Sequence, residues 1–534
     1  MSTGDLGETP SLRSRRQTQR SRLHREERSV QLLRAGVVGI IAGFLGVVYQ
    51  VSVAHVEAFS HMAAEHAHRL SWPGELGFVV ATSVFGSFAA AMIGRYAPES
   101  GGSGIPHIKA ALLHLRQIRA VPLIIAKFFG GLAALAIGMS LGREGPTVQM
   151  GASVGKLVGD ILKVPKRSRD SLLASGAGAG LAAAFNAPLA GFLFVMEELK
   201  REMSAITYGS ALIASVCSVA VTQLLIGQHP SFSLTSPGGA PLSVVPQVAV
   251  LGVVAGIAGV IFNKCLLITL EFRQRFHIER WVAGLIVGGI SGSALLFWPV
   301  ITGGGHGLVE SILSGQFHAT DLLLAAFLLF IGKLLLTSGS YGTGMPGGIF
   351  APILVLGSLV GFSFGLIVHR VIPATPFSPQ GFATIGMACM FAGSVRAPLT
   401  GVVLIVEMTS EYSLLYALLV GSFVADYVAG AIKDHPIYEA LMERDLKLTG
   451  AEVHPDEEPI LVELLIEPMS TMDGKRVKDL RLPSGAILVT LERGARHVVP
   501  GGSTLLKAGD MITMMIEGDK PELSLFVHES YKAP

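Results

Sequence analysis

Long apolar runs recur along most of this chain and then stop. From about Leu33 to Ile432 they fall at Ala35–Val51, Leu76–Ile93, Val121–Gly138, Ala211–Ile226, Val248–Leu270, Trp281–Phe297, Leu322–Leu336, Leu354–Val368 and Leu414–Ile432. Several approach the ~20 residues that a spanning helix needs, and others, nearer about a dozen, read as half-spanning or re-entrant pieces. After Tyr438 the pattern changes. Ile460–Ile466 and Ala486–Leu491 are strand-like and Asp473–Leu480 helix-like, and Val498–Pro500 with Met511–Ile516 complete a small α+β pattern cut by Gly, Pro and Asp. The pattern predicts an all-α polytopic membrane region followed by a small α+β domain. Its expected divisions are a tail without fixed structure over 1–30, a membrane domain over 31–445, a linker over 446–458 and a C-terminal domain over 459–534. A domain of about 75 residues is marginal alone, so it is expected to pair with a second copy.

Within the membrane region the interruptions repeat. G-R-E-G-P-T-V-Q-M-G-A-S-V-G runs from Gly142 to Gly155, and G-G-I-F-A-P-I-L-V-L-G-S-L-V-G from Gly347 to Gly361. Setting Pro146 on Pro352 also sets Glu144 on Phe350, Gly151 on Gly357 and Gly155 on Gly361. Each copy is followed by a second motif: A-P-L-A-G at Ala187–Gly191 precedes Glu197, and A-P-L-T-G at Ala397–Gly401 precedes Glu407. Matching Gly/Pro-broken apolar segments in two halves mark a duplicated transporter fold with broken helices around a central site. The repeats are expected over roughly 31–227 and 246–432.

Composition narrows the class further. With 15% charged residues and a mean hydropathy of +0.55, a soluble enzyme is excluded. The 64 glycines, set in apolar runs, imply close helix crossings. Met1–Ser29 carries seven Arg against four acidic residues and no apolar run, which makes it a basic tail rather than a signal peptide. Lys163, Lys166, Arg167 and Arg169 share one loop, Lys200 and Arg201 another, and Arg273, Arg275 and Arg280 a third, whereas Glu57–Pro73 and Gln228–Pro246 are poor in basic residues. The positive-inside rule then puts the tail and those three loops in the cytoplasm. Cys217, Cys265 and Cys389 all sit in apolar sequence and imply no disulfide framework.

Three motifs carry a family resemblance. G-S-G-I-P at Gly102–Pro106, G-R-E-G-P at Gly142–Pro146 and G-G-I-F-A-P at Gly347–Pro352 stand intact and in order, with F-N-A-P-L-A-G at Phe185–Gly191, S-V-R-A-P-L-T-G at Ser394–Gly401 and H-P-I-Y at His435–Tyr438 beyond them. Over roughly Leu33 to Met442 the chain resembles the CLC family of chloride channels and chloride/proton exchangers, which implies two inverted-topology repeats of broken and tilted helices. The later stretches Gly474–Pro483, Gly485–Gly494 and Val499–Asp510 resemble a TrkA-C (RCK-C) domain. Such domains dimerise and in several families bind small regulatory ligands. A Gly-rich dinucleotide-binding half does not precede it, which argues against NAD sensing.

The motif physics independently suits an anion. Each is a Gly-rich loop, then Pro in the first helical turn, where its missing N–H costs nothing. Free amides and the positive end of the macrodipole make such a terminus an anion site. Several of these ends together would hold chloride without a full cationic side chain, so the ion can leave. Ser103 and Tyr438 would donate hydroxyls. By the resemblance, the amides of Ile349 and Phe350 are further ligands and the Ser103–Tyr438 pair closes the cytoplasmic approach. Gly104, Pro106, Arg143, Gly145, Pro146 and Gly348 support the loops. Lys127, inside an apolar helix, either lends positive potential to the pore or partners a buried acid.

Glu144 is the sharpest single residue, because an acid at a membrane helix centre costs about 2.5–3.5 kcal/mol. Ionised, its carboxylate can take the anion site in place of chloride; protonated, it can swing aside. The resemblance makes it the gate and external proton carrier, and makes Glu198, second of the Glu197–Glu198 pair, the internal proton site. The plainer readings are a pair with Arg143 for Glu144 and a helix-end charge beside Lys200 and Arg201 for Glu198. After G-S-G-I-P the family often has Glu, but here His107 and then Lys109 follow, as a relay or as a helix-surface residue in the case of His107.

The reading is a chloride/proton antiporter with a passive chloride channel of the same fold as alternative. It is not an enzyme, has no cofactor or metal, and has no nucleic-acid partner. Chloride, protons, lipid and a second copy of the chain are its partners, with a possible small-molecule ligand on the C-terminal domain. The expected setting is the plasma (inner) membrane of a prokaryote, multi-pass, both termini cytoplasmic. His55, His61, His66 and His68 match no zinc-protease motif. A membrane hydrolase lacks a His placed as base for Ser103, and a potassium filter of the TVGYG type is absent from the sequence.

Overall fold

The computed structural model describes residues 10–200, 205–228, 231–232, 239–317, 321–448, 459–480, 482, 485–493 and 496–517. The first nine residues of the expected tail, Arg201, residues 449–458 of the expected linker and the C-terminal domain beyond 517 lie outside the described residues. The chain divides into two units, Met1–Arg444 and Asp445–Pro534.

The first unit is helical and its order repeats. One set of eight is α1 (Pro10–Arg69), α2 (Ser71–Tyr96), α3 (Ile105–Leu112), α4 (Ala120–Ala136), α5 (Glu144–Ile161), α6 (Lys166–Phe185), α7 (Pro188–Phe194) and α8 (Ala205–Ile226). The other is α9 (Val245–Arg275), α10 (Arg280–Phe297), α11 (His306–Leu313), α12 (Leu322–Gly342), α13 (Phe350–Val371), α14 (Pro379–Val395), α15 (Pro398–Thr409) and α16 (Leu415–Ala431), and α17 (Ile437–Leu448) follows. Each set runs long, long, short, then one more apolar helix, then a helix opened by one of the repeated motifs. Among the described residues eight helices are long and apolar enough to cross a membrane, so this is a multi-pass membrane protein. Helix α1 begins at Pro10, not near Leu33. The expectation of an unstructured tail differs there because Ser11–Ala35 holds no Gly or Pro and is rich in Arg, Gln, Glu and Leu, all good helix formers.

Glycines set the closest crossings. A Cβ at Gly151 would land on Gly176 O and one at Gly155 on Leu172 O, so α5 and α6 touch backbone to backbone. Their repeat mates do the same: a Cβ at Gly357 would meet Gly386 O and one at Gly361 would meet Phe382 O, between α13 and α14. α14 is buried along Gly381–Val395. Such interior helices face protein, so they need small residues more than a continuous apolar run.

The second unit holds β1 (Pro459–Leu465), β2 (Ile487–Arg493), β3 (Arg496–Val498) and β4 (Met511–Glu517) in an antiparallel sheet ordered β1-β4-β2-β3. Leu464, Ile466, Met472, Leu491, Leu506, Ile512 and Met514 form its core. The helix expected over Asp473–Leu480 is only a 3-10 turn at Val477–Asp479. Its amides are taken elsewhere: Gly474 N donates to Leu506 O, Val477 N to Thr504 O and Lys478 N to Gly502 O.

Candidate functional site

The three motif loops are stitched together by backbone hydrogen bonds. Gly102 N donates to Met345 O (3.1 Å) and Gly347 N to Gly102 O (3.0 Å). Gly142 and Gly348, repeat mates, exchange two bonds of 2.7 Å each, as an antiparallel pair around a two-fold axis would. Gly145 has no room for a side chain, since a Cβ there would stand 2.7 Å from Ser103 O and 2.9 Å from Gly348 Cα. Gly104 caps α3 at φ +84°, the left-handed region that glycine enters without strain. Pro106, Pro146 and Pro352 fall in the first turns of α3, α5 and α13. The starts of these helices are thereby brought to one place, and their opening amides, those of Ile349 and Phe350 included, have no intrahelical acceptor.

Glu144 is the first residue of α5 and fully buried. A Cβ on Gly142 would fall on its Oε2, so the carboxylate fills the space that glycine leaves. Neither oxygen has a hydrogen-bond partner of good geometry among the described residues, although the amides of Glu144 itself and of Ala351 lie beside it. Among the described residues no ion pair joins it to Arg143, against the plainer sequence reading, although the guanidinium lies within electrostatic range. The repeat mate Phe350 is held in an aromatic cage, its ring centroid 4.4 Å from Phe391, 5.4 Å from Phe185 and 6.4 Å from Phe194.

Ser103 is fully buried, and its Oγ accepts from Ile105 N (3.2 Å), which leaves the hydroxyl proton for another acceptor. Ser103 N donates to the Tyr341 hydroxyl at 3.4 Å. The Tyr438 hydroxyl is fully buried and has no hydrogen-bond partner among the described residues; Tyr341, Glu144 and Glu198 lie within electrostatic range of it. Lys127, fully buried, donates to Ser100 O (2.9 Å) and Gly102 O (2.6 Å). Its partners are the carbonyls of the loop that presents Ser103, not a buried acid. His107 Nδ1 lies 3.2 Å from Gln149 Nε2 on α5.

Glu198 lies in a π-helical stretch, Val195–Lys200, that continues α7. Such stretches gather at functional positions. It is fully buried and accepts from Lys109 Nζ on α3 at 2.7 Å. Its neighbour Glu197 does different work. Its oxygens accept from Leu399 N (3.1 Å) and Thr400 N (2.7 Å), opening α15, while Glu407 accepts from Leu189 N (3.0 Å) and Ala190 N (2.8 Å), opening α7. The two repeats therefore cap each other's second motif.

The profile of the voltage gated chloride channel family matches residues 85–430, and that of the TrkA-C domain residues 461–520. The chain belongs to the voltage gated chloride channel (CLC) family. The H(+)/Cl(-) exchange transporter ClcA of Vibrio campbellii is 39% identical to this CLC chain over 432 residues, 78% of this chain and 90% of the relative. ClcA of Salmonella paratyphi B is 37% identical over 456 residues, 83% of this chain and 94% of the relative. Among solved structures, a slow cyanobacterial Cl-/H+ antiporter is 34% identical with a TM-score of 0.75, covering 79% of this chain and 99% of its own.

Three residues of this CLC chain, two at the site and one on the loop before α11, went unnoticed in sequence. Tyr341 stands against the Ser103 loop. Glu439 lies 3.6 Å from Lys109. Lys333, fully buried on α12, donates to Ile301 O (3.1 Å), Thr302 O (3.3 Å) and Gly303 O (2.7 Å). The signal for Lys333 was present: it precedes Phe350 by the same interval that separates Lys127 from Glu144. Among the described residues no group of three or more His, Cys, Asp and Glu side chains is placed to hold a metal ion.

Proposed function

We propose that this CLC protein is a chloride/proton antiporter, with Glu144 as gate and external proton carrier and Glu198 as internal proton site. The observation that carries the reading is the Glu144 carboxylate, fully buried where helix N-termini meet and without a side-chain partner among the described residues. Ionised, it competes with chloride for the amides of Ile349 and Phe350. Protonated, it loses the attraction of those helix ends and withdraws, and chloride enters. Ser103 and Tyr438 donate to the ion from the other side. Binding by amides and hydroxyls rather than by a bare cation keeps the ion weakly held and able to leave. The ClcA relatives, both named H(+)/Cl(-) exchange transporters, support the same reading.

The working assembly is a homodimer in the inner membrane of a prokaryote with both termini in the cytoplasm. Its TrkA-C domain takes a small regulatory ligand or holds the dimer. The transported ions are the only small partners of the membrane domain; no cofactor, metal or nucleic acid takes part.

The test is proton movement driven by a chloride gradient in liposomes, with Glu144→Ala beside the unaltered protein. Uphill proton flux, lost in Glu144→Ala while chloride flux continues, is the expected result. Chloride flux without coupled protons in the unaltered protein would make it a passive channel.

A further inference from the structure

Lys109 sits one turn inside α3, only 6% exposed. It reaches two other elements. Its Nζ donates to Glu198 Oε1 on the π-helical stretch (2.7 Å) and lies 3.6 Å from Glu439 Oε1 on α17, the residue after Tyr438. The same short helix presents Ser103 at its start, so one ammonium joins the anion loop, the internal proton site and the helix that carries Tyr438. The other titratable groups nearby have partners of their own. His107 on α3 meets Gln149 on α5, Glu197 caps α15, and Asp170 on α6 lies 3.5 Å from His114.

A comparison between the repeats separates this lysine from the scaffold. Lys127 and Lys333 are mates that do the same job, fastening the loops that open α3 and α11. Lys109 is the fifth residue of α3; the fifth residue of α11 is Glu310, which is exposed. The fold therefore builds this position without a buried cation in its second copy.

We propose that Lys109 is the positioning residue that makes Glu198 a reversible proton site, by pairing with its carboxylate when ionised and passing to Glu439 when Glu198 is protonated. The inference rests on the antiporter reading. A buried carboxylate with no cation beside it holds its proton, because the ionised form pays the full desolvation cost. With Lys109 at 2.7 Å the proton can leave. When Glu198 takes a proton it becomes neutral, the ammonium keeps its own three protons, and its attraction shifts to Glu439. Since Glu439 adjoins Tyr438, the proton state of Glu198 is felt at the helix bearing that hydroxyl.

The experiment measures chloride and proton fluxes in liposomes for the unaltered full chain, Lys109→Gln, Lys109→Arg, Glu198→Gln and the double variant Lys109→Gln/Glu198→Gln. Lys109→Gln is expected to lower proton flux at least about tenfold while chloride flux stays within about threefold, since an unpaired buried charge is strongly disfavoured. Lys109→Arg is expected to restore coupling, and the double variant to move protons no more slowly than Glu198→Gln alone. Coupled flux in the unaltered protein that survives in Lys109→Gln would overturn the positioning role alone. Loss of chloride flux in Lys109→Gln would make the lysine a structural fastening and also overturn it. Chloride flux without protons in the unaltered protein would overturn the antiporter reading, and this role with it.

Discussion

Glu144 and Phe350 hold the same place in two copies of one motif, and their difference carries the proposed chemistry. Both are the first residue of a helix, and both are fully buried. One offers a charge that can be gained or lost, the other a ring fixed among Phe185, Phe194 and Phe391. Lys127 and Lys333 give the converse case, the same residue in both copies with one mate near the anion loops. Lys127→Met leaves the Ser100 and Gly102 carbonyls short of a buried donor, at a cost of about 1–3 kcal/mol. Chloride affinity measured by titration calorimetry is therefore expected to fall by roughly tenfold or more. Lys333→Met frees carbonyls of the loop before α11, which is not among the three stitched motif loops. It is expected to lower the melting temperature while chloride affinity stays within about threefold.

At the scale of elements, the exchange of caps ties the two repeats to each other. α7 and α15 both open on Ala-Pro-Leu, and their free amides are met by a Glu from the other half. A carboxylate at a helix N-terminus satisfies amides and opposes the dipole together. Glu407→Ala and Glu197→Ala are each expected to destabilise the protein by about 1–2 kcal/mol, read as a lower thermal midpoint in detergent, with Gln at either position costing less. The element pattern itself was only partly legible in sequence. Membrane-facing helices such as α9 and α12 stand out as apolar runs, whereas α5, α6 and α14 do not, because glycine and serine serve their backbone contacts better than bulk does. In the second unit, Asp473–Leu480 has a helical composition, yet its amides pair with Gly502–Leu506. Local propensity gave way to a partner close in space.

The whole molecule joins a membrane unit to a small sheet domain, and beside the apolar core of the latter a buried Asp510 is paired with a partly exposed Arg493. Arg493 Nε and Nη2 donate to Asp510 Oδ1 (2.7 Å) and Oδ2 (2.6 Å), and Lys507 N donates to Oδ2 (2.8 Å). Burial alone would raise the Asp510 carboxyl, but Arg493, the Lys507 amide and the Lys507 charge outweigh it and leave it below the usual aspartate range. A carboxyl depressed on folding adds stability that is present above its unfolded pKa, about 3.9, and is lost as pH falls through the lower folded value. Amide exchange in β2 and β4 of the full chain is thus expected to quicken in that acidic window, and Asp510→Asn to show the faster exchange already at neutral pH. Unchanged exchange in Asp510→Asn would leave the pair without a stabilising role.

By itself the sequence determined the class, the duplication, the order of the motifs and most of the residues proposed to act. It could do so because lipid demands long apolar helices, and because Gly/Pro breaks and a buried Glu are too costly to occur there without cause. Only the tertiary structure decided the partners. Glu197 and Glu407 are alike in sequence, each six residues past its Gly, and nothing local tells that each caps the opposite repeat. Nothing in the order Gly-Ser-Gly-Ile-Pro-His-Ile-Lys tells that Lys109 meets Glu198, which lies on another helix. Lys127 bonds to carbonyls rather than to an acid for the same reason. A hydrogen bond or ion pair between distant residues depends on where two helices cross, and the crossing is set by glycine contacts and loop stitching shared across the molecule.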